Sequence, residues 1–237
     1  MLIYCDIETL PNLLTGDIPL PDITELSCPK NLKKAESITA WWASPERQDD
    51  ILELQQERID KWRKTALDPW EGQIYCIAAQ LFEPGLIEEE TWVVWDLDEK
   101  VLLEKFEAKL FSYEQKVTQK LSVSTFVGYN LRNFDNPFLR LHSIKAGTRK
   151  LTQVLPTRRY HDRIDDVMEM ALITMRTTVD KYVSMDKVCK FFGLEGKSED
   201  IDGSKVYDFY LAGRHEEVAA YCKSDVDKAK VLHTMLS

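Results

Sequence analysis

Two carboxylates sit inside the first apolar run of this chain, and no other feature restricts its fold so severely. Residues 2 to 7, LIYCDI, are apolar and β-branched enough to form a strand. Asp6 and Glu8 are two positions apart, which in a strand puts both side chains on one face, about 7 Å from each other. Two anions there repel, and no Lys or Arg lies nearby in sequence to neutralise them. Two arrangements satisfy the electrostatics. Either the strand ends at residue 5 and both groups are solvated at a sheet edge, or they face a bound divalent cation.

The frame around this strand reads as α/β. QIYCIAAQLF at 73 to 82 and TWVVW at 91 to 95 have the composition of two further strands. The segment from 98 to 113 places Val101, Leu102, Phe106 and Leu110 at the spacing of a helix with one buried face. STFVGYN at 124 to 130 follows as a fourth strand, then a helix starting near Asn136. The remainder is predicted as helices over about 166 to 176, 184 to 192, 204 to 211 and 215 to 235. This order predicts a mixed central sheet flanked by helices.

Between the first two strands, residues 14 to 69 are too long for a simple connection and need structure of their own. The stretch begins with Pro19, Pro21 and Pro29 and becomes helical from Pro45 to Leu67, with Leu52, Ile59, Trp62 and Ala66 along one stripe. Trp41, Trp42 and Trp62 also fall here, with Trp70 directly after it. We read 1–237 as a single domain carrying 14–69 as a packed helical insertion. The helix's outer face, with Glu46, Asp49, Asp50, Glu53, Glu57 and Asp60 against Arg47 and Arg58, is expected to repel a phosphate backbone and to serve as a flap or partner surface.

Charge and cysteines narrow the class. The chain of 237 residues has a formal charge of −9, which argues mildly against nonspecific nucleic-acid binding. Cys5, Cys28, Cys76, Cys189 and Cys222 form no metal-ligand pair and read as reduced thiols. No apolar run approaches the ~18 residues that span a bilayer, so a cytoplasmic protein with no membrane partner is expected.

Two more acidic positions join the first pair. Asp135, in GYNLRNFDNPFL, follows a buried strand and opens a helix, where capping of free backbone N–H groups is one use for it. Asp225 falls on the inward stripe of the last helix with Val218, Cys222, Ala229 and Leu232, and Tyr221 is one turn earlier. At the margin of that stripe Asp225 could simply face water, with Tyr221 as ordinary packing.

In this order, YCDIET, VGYNLRNFDNPFL and YCKSDVD resemble the three motifs of the DEDD (DnaQ-like) 3′-to-5′ exonucleases of the ribonuclease H-like fold. The chain is most similar to proofreading domains of B-family DNA polymerases and their stand-alone relatives, over residues 1 to 10 and about 70 to 237. The resemblance implies the tyrosine branch, because Tyr221 lies four residues before Asp225 and residue 220 is Ala; none of the four histidines is needed. It implies a two-metal-ion hydrolysis of single-stranded DNA from its 3′ end, with Mg²⁺ or Mn²⁺ as cofactor and nucleoside monophosphates as products. Asp6 would bridge both ions, Glu8 and Asp225 would complete the nucleophile-side ion, and Asp135 would hold the leaving-group ion through water. Tyr221 would orient the attacking water, since a phenol of pKa ~10 is a poor base at neutral pH. Asn130 and Phe134 belong to the second motif and become candidate contacts to the terminal nucleotide, with strand-end capping and core packing as the competing uses.

Other readings remain at this level: an exoribonuclease, because nothing reads the 2′ hydroxyl unambiguously, or a noncatalytic nucleic-acid or protein binding module on the same fold. A separate polymerase or replication protein is a conceivable partner. From Arg140 to Arg163 the chain carries Arg140, Lys145, Arg149, Lys150, Arg158, Arg159 and Arg163 against Asp162, a charge of 7 − 1 = +6. Arg158 and Arg159 are therefore the predicted contacts to the strand's phosphates. Asp162, Asp165 and Asp166 form a further acidic cluster, one member of which is expected to cap the following helix.

Overall fold

The computed structural model describes residues 1–13, 20, 26–85, 87–88, 90–114, 116–117, 120–157, 163–174, 182–196 and 201–237. Its first strand, β1 (Leu2–Leu10), is longer than its apolar run and takes in both carboxylates. It lies in the middle of a six-stranded sheet. On one side β1 pairs antiparallel with β2 (Gln73–Glu83), whose far edge carries β3 (Ile87–Glu88) and β4 (Trp92–Trp95). On the other side it pairs parallel with β5 (Thr125–Gly128), which in turn pairs parallel with β6 (Ile164–Asp166). The sheet is mixed and covered by helices, as the order of elements predicted.

Strand alternation divides the interior in two. Ile3, Cys5 and Ile7 point into a core shared with Leu102, Leu103 and Phe106 of α3 (Glu99–Phe111) and Phe138 of α4 (Asp135–Ala146). Tyr4 points the other way, into a core built with Val218, Cys222 and Val226 of α9 (His215–Leu236). Asp6 and Glu8 share the Tyr4 parity, and a register shift between Glu8 and Thr9 follows them. The sheet thus offers its two carboxylates to the terminal helix.

Several local expectations shift. In α3 the buried residues are Leu102, Leu103, Phe106 and Leu110, while Val101 is exposed, because Asp98 caps the helix by accepting from the Lys100 and Val101 amides and sets the stripe one residue later. Strand β6 was not anticipated: three residues, IDD, are too few for an alternation signal, and α6 (Val167–Thr174) starts directly behind it. Helix α5 (Arg149–Val154), α7 (Met185–Phe191) and α8 (Val206–Leu211) complete the frame.

The insertion holds α1 (Ala35–Trp42), which periodicity did not reveal, and α2 (Pro45–Arg63), which ends in a 3₁₀ turn, Lys64–Leu67. Ile51, not Leu52, is the buried residue of α2; Leu52 is exposed. The helix is held by its C-terminal end. Trp62 Nε1 donates to the Asn12 carbonyl at 3.1 Å and the ring meets Tyr207 edge-on, Thr9 Oγ1 donates to the Ala66 carbonyl at 2.6 Å, and Arg63 makes a two-pronged bond to Asp208. Pro19 and Pro21 lie outside the described residues. All five cysteines are free thiols, four of them buried. Among the described residues no helix is long and apolar enough to cross a membrane.

Gly128 closes the parallel pair. A Cβ there would stand 2.7 Å from the Cys5 carbonyl oxygen and 3.1 Å from Leu131 Cβ, so β5 can approach β1 only with glycine at this position. Gly128→Ala is expected to destabilise the protein by about 1–3 kcal/mol, measured as a lower urea midpoint; an unchanged midpoint would mean that β5 relaxes freely.

Candidate active site

Because β1 runs on to Leu10 in the centre of the sheet, the solvated-edge arrangement of its carboxylates is excluded. Glu8 is buried and Asp6 partly so. Cys222 of α9 reaches them, its Sγ donating to the Asp6 carbonyl at 3.4 Å and to Asp6 Oδ2 at 3.5 Å. Desolvation, then repulsion from Asp135, Glu8 and Asp225, holds the Asp6 carboxyl well above the usual carboxylate range, opposed by the Cys222 hydrogen bond.

Asp135 does not cap its helix. It is the first residue of α4, and Phe134 at the cap position contributes no side-chain bond. Instead, Asp135 Oδ1 accepts from the Ile7 amide at 3.0 Å. The ladder between β1 and β5 ends at Tyr4, and the buried Asp135 carboxylate is pinned against the strand beyond that point, between the two acidic residues of β1. Burial raises its pKa to about 7 against the pull of backbone amides, its own and that of Ile7, with Asp166 and Asp225 adding repulsion.

The terminal helix supplies the rest. Asp225 and Tyr221 are both buried on its inward stripe, and the Tyr221 hydroxyl is hydrogen-bonded to the Asp225 carboxylate. Burial, then the charges of Glu8, Asp225 and Asp6, push the phenol far above its ordinary value, so it holds its proton throughout the physiological range. Lys228, one turn beyond, places Nζ 3.1 Å from Asp225 Oδ1. The structure therefore brings Asp6, Glu8, Asp135, Tyr221 and Asp225 into one place from three elements. Of the described histidines, His142 lies against Glu99, His215 against Tyr75 and His233 against Tyr4, all away from it.

The turn carrying the second motif is built separately. Asn130 adopts a left-handed conformation, φ 59°, which Asn tolerates better than most residues. Asp166 is the clamp: it accepts from the Asn130 amide at 3.0 Å and the Arg132 amide at 2.9 Å, and from Met168 at the start of α6 at 3.0 Å. One member of the acidic cluster thus caps a helix, as expected, and the same carboxylate also holds the turn. Phe134 is half-buried against Phe138, with ring centroids 5.1 Å apart.

Arg158, Arg159 and Asp162 lie outside the described residues. Elsewhere in the basic segment, Arg140 donates to the Thr152 and Leu155 carbonyls and Arg163 to those of Ser124 and Val154, so both serve the backbone around α5. Sequence reasoning missed Lys228, Cys222 and the Asp166 clamp. Lys228 could have been found from its i+3 spacing to Asp225; the bonds of Asp166 to a turn some 35 residues earlier leave no local signal.

A family model described as "Predicted 3'-5' exonuclease related to the exonuclease domain of PolB" matches residues 73–234, more than half of the chain. No curated protein matches. The chain belongs to this family, and its mixed sheet flanked by helices fits the ribonuclease H-like fold. The matched span begins at β2; Asp6 and Glu8 precede it and join Asp135, Tyr221 and Asp225 through the pairing of β1.

Asp135 gives the metal-free protein a signed pH dependence. Its folded pKa of about 7 exceeds the ~3.9 of an unfolded Asp, so between these values the folded state holds the extra proton. That contribution favours folding below about pH 4 and is lost as pH rises through 7. In EDTA, melting temperature is expected to fall from pH 5 to pH 8, and Asp135→Asn is expected to flatten the fall; equal slopes in both proteins would refute this assignment.

Proposed function

We propose that the chain is a metal-dependent 3′-to-5′ exonuclease of the tyrosine branch that removes nucleoside monophosphates from single-stranded DNA. The observation that carries this reading is the convergence of four carboxylates, from β1, α4 and α9, on a site where burial, with repulsion between neighbouring acids added to it, raises Asp6 and Asp135. A functional site of this kind trades stability for charge placement.

The donor set suits hard divalent cations. Asp6, Glu8, Asp135 and Asp225 present carboxylate oxygens, as Mg²⁺ and Mn²⁺ require. Cys222 is no competitor for a hard ion, because burial pushes its thiol well up and keeps it protonated as a donor to Asp6. Two such ions, when bound, would neutralise charge on the phosphodiester and make a bound water acidic enough to attack at neutral pH. Asp6, Glu8 and Asp225 would hold the nucleophile-side ion, with Asp6 shared and Asp135 serving the leaving-group side.

The chain's own residues supply orientation. Tyr221 cannot act as a base with its phenol raised far above neutrality, but its hydroxyl can donate to or align a water beside Asp225. The Ile7 amide fixes the rotamer of Asp135. The Asp166 clamp fixes the turn from which Asn130 and Phe134 would meet the end of the strand.

End-labelled single-stranded DNA, duplex DNA and RNA, incubated with Mg²⁺, Mn²⁺ or EDTA, test the proposal directly. Metal-dependent shortening of single-stranded DNA from its 3′ end, one nucleotide at a time, is the expected result; faster degradation of RNA would turn the assignment to an exoribonuclease. Asp6→Ala, Glu8→Ala, Asp135→Ala and Asp225→Ala should each lower the rate by about two orders of magnitude or more. Tyr221→Phe should be milder, because all four carboxylates remain.

A further inference from the structure

The insertion meets the catalytic strand at a groove. A cavity of about 660 Å³, in the size range of sites that enclose small ligands, lies between the C-terminal turn of the insertion and the turn that leads into α8. Its wall includes Thr9 and Pro11, so it starts at the residue next to Glu8. Lys64 and Leu67 face it from the insertion, Lys205 and Tyr207 from the opposite side.

Charge along α2 is polarised toward this groove. Glu46, Asp49, Asp50, Glu53 and Glu57 occupy its first four turns, whereas Lys61, Arg63 and Lys64 crowd its end and offset the negative pole of the helix dipole. The groove's own acids are engaged: Asp208 by Arg63, Asp202 by the amide and hydroxyl of Ser204, and Asp60 by the Gln56 amide at 2.8 Å. Lys64 is exposed, and Leu67 keeps 65% of its surface in water. An exposed leucine and two lysines, in a groove whose wall includes the residue that follows Glu8 in β1, offer an apolar surface for a base and cations for phosphates.

We infer that this groove binds a nucleotide adjacent to the scissile phosphate, with Lys64 and Lys205 on the phosphates and Leu67 against the base, so that the insertion forms one wall of the substrate site. This rests on the single-stranded DNA reading above and adds to the expectation for the acidic outer face of α2: that face is expected to turn a phosphate backbone away, while the end of the helix receives the strand.

The test separates binding from hydrolysis. A fluorescent 12-nucleotide single strand is titrated by anisotropy in EDTA at several salt concentrations, with wild type, Lys64→Glu, Lys64→Glu with Lys205→Glu, and Leu67→Ala. The double variant should bind about tenfold or more weakly, and its salt slope should drop by roughly 1.4, about 0.7 for each of two phosphate contacts; Lys64→Glu alone should show half that drop. Leu67→Ala should weaken binding without moving the slope. In Mg²⁺, KM should rise with kcat nearly unchanged, and Mn²⁺ affinity should be unaltered in all variants. Wild-type affinity and slope in both lysine variants would overturn the groove while leaving the nuclease assignment standing. Normal binding by wild type with no metal-dependent release of mononucleotides would overturn the nuclease assignment instead.

Discussion

A single hydrogen bond, from the Ile7 amide to Asp135 Oδ1, ties together the two halves of the site. The parallel ladder between β1 and β5 stops at Tyr4, which leaves the second half of β1 without a backbone partner on that side. An amide left unpaired in the interior would be expensive. Asp135 satisfies it with a charge-assisted bond and is itself fixed by it, so the first residue of α4 is registered against the middle of β1. The position of α4, the separation of Asp135 from Asp6 and Glu8, and the gap into which α9 brings Asp225 all follow from where that ladder stops.

Gly128 permits the last close approach of β5 to the Cys5 carbonyl, and immediately afterwards the chain turns away through Asn130 in a left-handed conformation. Asp166 catches this turn by two amides, while its neighbour Asp165 meets His233 near the end of α9. Strand β6, with only three residues, therefore anchors both the turn before α4 and the far end of the terminal helix. The described members of the acidic cluster, Asp165 and Asp166, thus have their carboxylates committed to a histidine and to backbone amides.

How much of this could be read from sequence depended on range. The four longer strands, the α9 stripe, and the same-face placement of Asp6 and Glu8 were legible, because each is a short-range periodicity, whereas β3 and β6 were too short to show one. Asp225 and Tyr221 were legible for the same reason, and the three motifs together singled out Asp135. What could not be read was which competing local use would win. Asp135 had the sequence context of a helix cap, and only the distant Ile7 amide, 128 positions earlier, shows that its carboxylate is used across the fold. Likewise Val101 and Leu52 fitted their helical stripes but lost to Leu103 and Ile51, since a stripe's width is set by what packs on it. Arg140 and Arg163 counted toward a basic segment, yet their guanidinium groups are spent on carbonyls, which a charge count cannot foresee.

The remaining question is how a sheet can fold around four carboxylates. Full ionisation of all four in a buried site would oppose folding strongly. The metal-free protein lowers that charge in two ways. Asp6 and Asp135 both hold protons more tightly than an ordinary carboxylate, Asp135 up to about pH 7, and Lys228 brings an ammonium to Asp225. Cys222 adds a neutral donor to Asp6 where a cationic side chain would have blocked it. Protons remove part of the site's negative charge, whereas the Lys228 ammonium offsets it beside a carboxylate that stays ionised.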